Sequence, residues 1–345
     1  MKALYFEEHG DIDVMKYGDV PDPQIAPGKV IVKVRACAIN HLDIWVRRGW
    51  PGLKLEMPHW GSADVAGEIA EVGPGVEGWK TGQRVVVDPG INLFEDAYTR
   101  NGESSVSPGY QILGEDVRGG AAQYLAVPAG NLKEMPVDLD FTVAAAPILV
   151  SVAAWRMLIH RAKIRAGESV LVVGAGGGVN SMAIQIAKLA GAKVYVVAGD
   201  SEKSAKALEL GADEIIDRSQ VDWGKEIFSR TNRRGVDVVV DNVGKATLGV
   251  SMKAVARGGR IVIIGNTSGP MAEIDIRFIF GKQISLIGST MGNHQDFRDV
   301  TDLLWSGKLK TVIDRVMPLS QGKEAFLLME RGHHFGKIVL EPEHT

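Results

Sequence analysis

A chain of 345 residues is long enough for two domains, and 45% apolar with 23% charged residues is ordinary for a soluble globular protein. A net charge of −3 leaves no basic footprint for nucleic acid, and a single cysteine excludes an internal disulfide or a multi-cysteine metal centre. The opening MKALYFEEHGD meets acidic residues by position 7, unlike a signal peptide, and runs such as VLVVGAGGGV are too short and glycine-rich to span a bilayer. A cytoplasmic protein with no membrane or nucleic-acid partner is the expectation.

Residues 1 to about 135 read as short strands in a barrel-like, β-rich half. GKVIVKVRACAI, GEIAEVG, QRVVVDPG and AAQYLAVPAGNL cluster β-branched residues and end at Gly, Pro or Asp turn signals. A long polar stretch, 88 to 116, interrupts them, and loops of that length are usually functional or disordered. From 140 to 164 the texture turns helical, Ala-rich and roughly 3.6-periodic. After Glu168 the apolar runs SVLVVGA, AKVYVVAG, VDVVVDNVG, GRIVIIG and ISLIGST alternate with amphipathic helices, the mark of a parallel sheet covered on both faces. The tail shows helices at FRDVTDLLWSGKL and QGKEAFLLMERG, then a strand, GKIVLEPE, expected to rejoin the β-rich half.

The segment SVLVVGAGGGVNSMAIQIAKLAGAKVYVVAGD sets a glycine cluster between a strand and a helix. Such a turn lets backbone approach a pyrophosphate whose charge faces the helix N-terminus. A second strand ending at the ribose position turns a weak glycine signal into a strong one. That strand ends in Ala198 and Gly199 rather than a carboxylate, and Lys203 opens the next helix, where it can pair with a 2′-phosphate. Asp200 speaks for NADH; the balance favours NADPH, with NADH as the alternative.

With these segments in this order, the whole chain resembles the medium-chain dehydrogenase/reductase superfamily, whose GAxGGVG turn stands here as GAGGGVN with Asn180 last. The resemblance implies an α/β protein: a discontinuous GroES-like catalytic domain (1–150 and 291–345) and a Rossmann domain with a doubly wound parallel sheet (151–290). It also poses the question of zinc. Laid on ACAINHLD, GSADVAG and APILVSVAAW, the family's three catalytic-zinc positions carry Asn40, Ala63 and Leu149, while Cys37 falls on a non-ligand position. The proton-relay positions carry Leu42 and Trp45. The four structural-zinc positions of the polar lobe fall near Leu93, Asp96, Thr99 and Ser107.

The resemblance therefore implies a zinc-free NAD(P)H-dependent reductase of quinones, enones or other small carbonyl substrates, in the manner of the zinc-free members. On this reading Asn40 donates to a developing enolate, His41 lies near cofactor phosphate and Trp45 forms an apolar wall. Tyr110 is a candidate proton donor, although a structural role suits it better. Gly174, Gly177, Gly178 and Val179 form the phosphate turn; Gly199 and Lys203 meet the ribose; Val243, Gly265 and Asn266 come from later strand ends. Ser289 and Met291 contact the carboxamide. Asn180, in the place of a glycine, is expected to loosen helix–sheet packing. The strand ISLIGST is a pairing edge for a homodimer or homotetramer. Two alternatives stand beside this reading: an alcohol dehydrogenase using an atypical metal site built from His41, His59, Asp43 and Asp64, and a non-catalytic NADPH-binding protein.

Overall fold

A computed structural model describes residues 1–344. The chain forms two compact units: Met1–Leu149 with Gly292–Thr301 and the tail from Thr311, and Val150–Met291 with Asp302–Lys310. The return of Asp302–Lys310 to the second unit departs from the division expected from sequence. Its cause is local: the Gln185 side chain donates to the Lys310 carbonyl (3.1 Å) and accepts from the Lys310 amide (2.7 Å).

The first unit is built on a seven-stranded sheet. Its path runs Ile313–Pro318, Lys337–Glu341, Lys29–Ala38, Asp64–Val72, Arg84–Val87, Leu132–Glu134, with Tyr124–Pro128 also paired to Lys29–Ala38. Lys29–Ala38 is central because it alternates and then merges buried positions, from Val30 to Ala38, and can be packed on both faces. The tail strand rejoins this unit antiparallel to it, with Val339 opposite Ala38 and Leu340 opposite Cys37. The hydrogen-bonded path is open rather than closed as a barrel. The polar stretch 88–116 is folded: Gly90–Asn92 pairs with Tyr110–Ile112, and a short helix, Ala97–Arg100, lies between them.

The second unit is a six-stranded, wholly parallel sheet. Its order is Glu214–Asp217, Lys193–Ala198, Ser169–Val173, Val236–Asp241, Val255–Ile263, Ser285–Gly288. Numbered along the chain this is the 3-2-1-4-5-6 order of a doubly wound fold, which reverses between Ser169–Val173 and Val236–Asp241. The sequence reading missed Glu214–Asp217, a short edge strand with only Ile216 fully buried. The stretch 141–161 is long and apolar enough to cross a bilayer, but 78% of its most apolar 18-residue window is buried within the protein, as in a core helix.

Candidate active site

In the first unit three strand ends meet. Lys29–Ala38 lies between Lys337–Glu341 and Asp64–Val72, and the register sets Ala38 opposite Asp64. Asn40, Asp64 and Lys337 are thereby brought together, each buried. The Lys337 ammonium donates to Asn40 Oδ1 and, at 2.8 Å, to Asp64 Oδ2. Asn40 Nδ2 donates to the same Asp64 oxygen (2.9 Å) and at 3.4 Å to the Ala38 carbonyl. The other Asp64 oxygen accepts the Leu149 amide at 2.5 Å. Two of the three positions assigned to zinc ligands by the resemblance, Asn40 through its side chain and Leu149 through its amide, are thus tied to a lysine–aspartate pair.

This arrangement revises the role expected of Asn40. It stands at the N-cap position of the helix His41–Arg48, in a capping box with Asp43. Its amide nitrogen donates to Asp64 and Ala38. Asp43 completes the turn, accepting the Asn40 amide on Oδ2 and the Ser62 amide on Oδ1, both at 2.7 Å. Gly61 makes room for it: a Cβ there would lie 2.4 Å from Asp43 Oδ1. Burial lifts the Asp43 carboxyl to about 6 despite those two hydrogen bonds. Cys37 is fully buried and its thiol is pushed up to about 12, so it is an inert core residue.

His41 and Trp45 sit one turn apart, rings 6.4 Å between centroids, and the His334 ring is at the same distance from His41. Burial, then the Lys337 charge, holds His41 below the usual histidine range. Tyr110 is elsewhere in this unit: its hydroxyl donates to the Gly292 carbonyl at 3.1 Å, a structural tie. The atypical metal set does not assemble. His59 is bonded through Nε2 to the Gly114 carbonyl (3.2 Å), Asp43 holds backbone amides and Asp64 holds Lys337. Among the described residues, no group of three or more His, Cys, Asp or Glu side chains is placed to hold a metal. A catalytic zinc does not fit these residues.

The lobe is organised by hydrogen bonds. Asp96 caps the helix Ala97–Arg100, accepting the Thr99 amide (2.9 Å) and the Ser107 hydroxyl (2.8 Å), while Thr99 Oγ1 accepts the Asp96 amide at 2.8 Å. Three of the four positions named for a structural zinc therefore form one cluster. The fourth, Leu93, is exposed and joins the lobe through its backbone, its amide donating to the Gly109 carbonyl.

The second unit gathers the residues expected to bind cofactor. Gly174 follows the first strand at φ +97°, where a side chain is strained, and Gly177 caps the helix Gly178–Leu189 with open space at its Cβ position. No side chain caps that helix, so the amides of Gly178 and Val179 remain for an anion. The cradle fits a pyrophosphate. Asn180 does not loosen it: its Nδ2 donates to the carbonyls of Val173 (3.1 Å) and Gly174 (2.9 Å), and its Oδ1 accepts from Asn242 (2.8 Å). The turn and the neighbouring strand end, at the reversal of the sheet order, are locked together.

At the ribose position Asp200 caps the helix Ser201–Glu209 through the Lys203 amide, with the Lys203 ammonium 3.9 Å from its other oxygen. Arg218, missed from sequence, reaches the same point: a Cβ on Gly199 would lie 3.3 Å from its guanidinium. The signal was present in IIDRSQ, a basic residue just past a strand of the parallel sheet. Val243 takes its amide to Asp241 Oδ1, 3.1 Å, and Gly265 and Asn266 follow the strand Val255–Ile263. Ser289 Oγ is buried with no hydrogen-bond partner among the described residues, and Met291 holds a positive φ of 41°. Lys337 was also missed; a lysine opening the apolar run IVL was its signal.

Comparison with known proteins agrees with both units. The family model described as an alcohol dehydrogenase GroES-like domain matches residues 26–137, and one described as a zinc-binding dehydrogenase matches 178–306. An NAD-dependent alcohol dehydrogenase of Sulfolobus acidocaldarius is 32% identical over 99% of both chains. The quinone oxidoreductase of Homo sapiens is 30% identical, over 99% of this chain and 97% of its own. A crystal structure of an NAD-dependent alcohol dehydrogenase superposes with a TM-score of 0.95 at 40% identity, covering 99% of each chain.

Proposed function

We propose, for a chain that belongs to the medium-chain dehydrogenase/reductase superfamily and is an NAD(P)-dependent oxidoreductase, that it reduces a quinone, enone or other activated double bond with NADPH and without zinc. The Lys337–Asp64–Asn40 cluster carries this reading. An ammonium already paired with Asp64, beside an Asp43 taken up by two backbone amides, leaves no free anionic ligand for a second cation and repels it. Without a Lewis acid, nothing strongly depresses an alcohol's pKa. Conjugate reduction asks less, because charge develops on a carbonyl oxygen that one fixed donor can stabilise. A bound reduced nicotinamide supplies the hydride.

The residues proposed to hold the cofactor are Gly174, Gly177, Gly178 and Val179 at the phosphates, with Val243, Gly265 and Asn266 beside them. Ser289 and Met291 are proposed at the carboxamide, and Lys203 with Arg218 at a 2′-phosphate. Asp200, the residue favouring NADH, spends its carboxylate on a helix cap. Lys203→Ala and Arg218→Ala are each expected to weaken NADPH about 10-fold, the worth of a charge-assisted hydrogen bond, and NADH little. Equal losses for both cofactors, measured by fluorescence titration, would refute the assignment.

The test of the reaction is NADPH oxidation against a panel of quinones, enones and enoyl thioesters, with turnover expected on at least one. The likeness to alcohol dehydrogenases favours a second reading. Alcohol-dependent reduction of the oxidised cofactor, abolished by a chelator and restored by zinc, would establish it instead. Tight NADPH binding without any turnover would leave a non-catalytic cofactor-binding protein. A homodimer paired along the edge strand Ser285–Gly288 is part of the proposal, supported by the exposure of Ile276 and Phe280 on the preceding helix. Light scattering should give twice the chain mass or a multiple of that; a monomer would contradict it.

A further inference from the structure

We propose that Asn180 and Asn242 are positioning residues: their side-chain amides form a bridge that sets the phosphate turn of the second unit before any cofactor binds. This rests on the reading of residues 174–179 as the cofactor's phosphate cradle, and it concerns the second unit alone.

The bridge stands where the sheet stops. Val173 lies opposite Asp241, and Val240 opposite Val262. Continued past the strand ends, that register sets Gly174, Asn242 and Ile264 abreast. Two side-chain amides carry the ladder on across this row. Asn180 Nδ2 donates to the carbonyls of Val173 (3.1 Å) and Gly174 (2.9 Å), and Asn180 Oδ1 accepts from Asn242 Nδ2 (2.8 Å). Asn242 Oδ1 in turn accepts the Ile264 amide at 3.3 Å. Donor follows acceptor along the row, so each bond polarises the next. The row crosses the point where the sheet order reverses, the place where a parallel sheet opens a crevice for its ligand.

Both ends of the bridge are fixed. Asp241 is fully buried; one of its oxygens accepts the Val243 and Gly244 amides at 3.1 Å and the Thr247 hydroxyl at 2.7 Å. Its other oxygen accepts the Ser251 hydroxyl at 2.6 Å. Ser268 donates to the Val243 carbonyl through its amide (2.9 Å) and its hydroxyl (2.6 Å). The backbone on each side of Asn242 is thus held. At the other end Asn180 is buried in the first turn of the helix Gly178–Leu189, and a Cβ on Gly174 would lie 3.2 Å from its Nδ2. With Nδ2 directed at two carbonyls, Asn180 shapes the turn and does not itself bind the anion. A turn without the bridge would be ordered by the ligand, at a cost in affinity; the bridge orders it beforehand.

The experiment is a double-mutant cycle on the full chain: Asn180→Ala, Asn242→Ala and the pair. Affinity is measured for NADPH, NADH and ADP-ribose, which carries the pyrophosphate without the nicotinamide. Each single variant should bind all three about 10-fold more weakly, the worth of roughly one net hydrogen bond. The pair should lose no more than either single variant, because one bridge is broken once. Unchanged affinity in the single variants, or losses that multiply to about 100-fold in the pair, would overturn the proposal. A loss confined to NADPH would place these residues at the 2′-phosphate and overturn it too. If Asn180→Ala fails to fold, Asn242→Ala, on the half-buried side of the bridge, decides by the same 10-fold. A second readout is hydrogen exchange at the Ile264 amide. Without ligand it should be about 10-fold faster in Asn180→Ala than in wild type, and saturating ADP-ribose should close most of that gap. An unchanged rate, or a gap that ADP-ribose leaves open, would contradict the bridge's role. If wild type binds none of the three ligands, the cradle reading itself fails, and the bridge's role with it.

Discussion

The first unit contains two places where the zinc-dependent members of the superfamily would carry metal ligands, and this chain fills them with different chemistry. Around Asn40, Ala63 and Leu149 the filling is ionic and buried, a lysine–aspartate pair that also binds an amide side chain and a backbone N–H. In the lobe, around Asp96, Thr99 and Ser107, one carboxylate at a helix start gathers a hydroxyl and a backbone amide, partly open to water. A buried positive charge remains in the first. Where a metal would only hold a loop closed, short hydrogen bonds suffice. Dielectric separates the two: the same interactions are worth more, and cost more to break, in the buried cluster.

The largest effect should come from breaking the buried pair. Lys337→Met alone leaves Asp64 unpaired and is expected to cost roughly 3–5 kcal/mol, seen as a lowered denaturation midpoint. Adding Asp64→Asn should return most of it; no recovery would mean that the pair does not hold the cluster. Next comes pH. Burial raises Asp43 to about 6 from 3.8. A raised carboxyl contributes stability that is fully present below its unfolded value and is lost as pH rises through its folded one. From about pH 4 to about pH 7 wild type should therefore lose about 2 kcal/mol relative to Asp43→Asn. A gap between the two proteins that does not change with pH would contradict this.

The lobe should respond in the opposite sense. The Thr99 amide, with smaller help from the Ser107 hydroxyl, holds Asp96 below the usual carboxylate range. Its stabilisation is present above the unfolded value and is lost as pH falls through the folded one. Acid should thus raise hydrogen exchange at the Thr99 amide while it strengthens the region of Asp43. The smallest effect is Ser107→Ala, which removes an acceptor for the Gly109 amide and a donor to Asp96. About 1 kcal/mol is expected, confined to the lobe, as faster proteolytic nicking there with an unchanged midpoint for the rest. A shift of the whole transition would show that the lobe is not energetically separate.

Local pattern made the fold legible. Gly174 and the strands around it announce a parallel sheet because each signal is contiguous in sequence, and GKIVLEPE reads as a strand for the same reason. The short edge Glu214–Asp217 was lost because four residues, three of them only half-buried, carry little periodicity. The site was legible as positions and not as interactions. Asn40 was identified, but its partners Asp64 and Lys337 lie 24 and 297 residues away and meet only through sheet order. Arg218 escaped for the same reason, since nothing in the sequence sets it beside Gly199. Asn180 shows the opposite error: read as a damaged glycine, it is a two-carbonyl clamp whose partner Asn242 arrives from the neighbouring strand.

The most direct test of the proposed chemistry is the NADPH-dependent rate on a quinone or enone before and after exhaustive chelation, with zinc added back. A buried Lys337 in the place of a metal predicts an unchanged rate and no effect of zinc. A rate that vanishes on chelation and returns with zinc would contradict it.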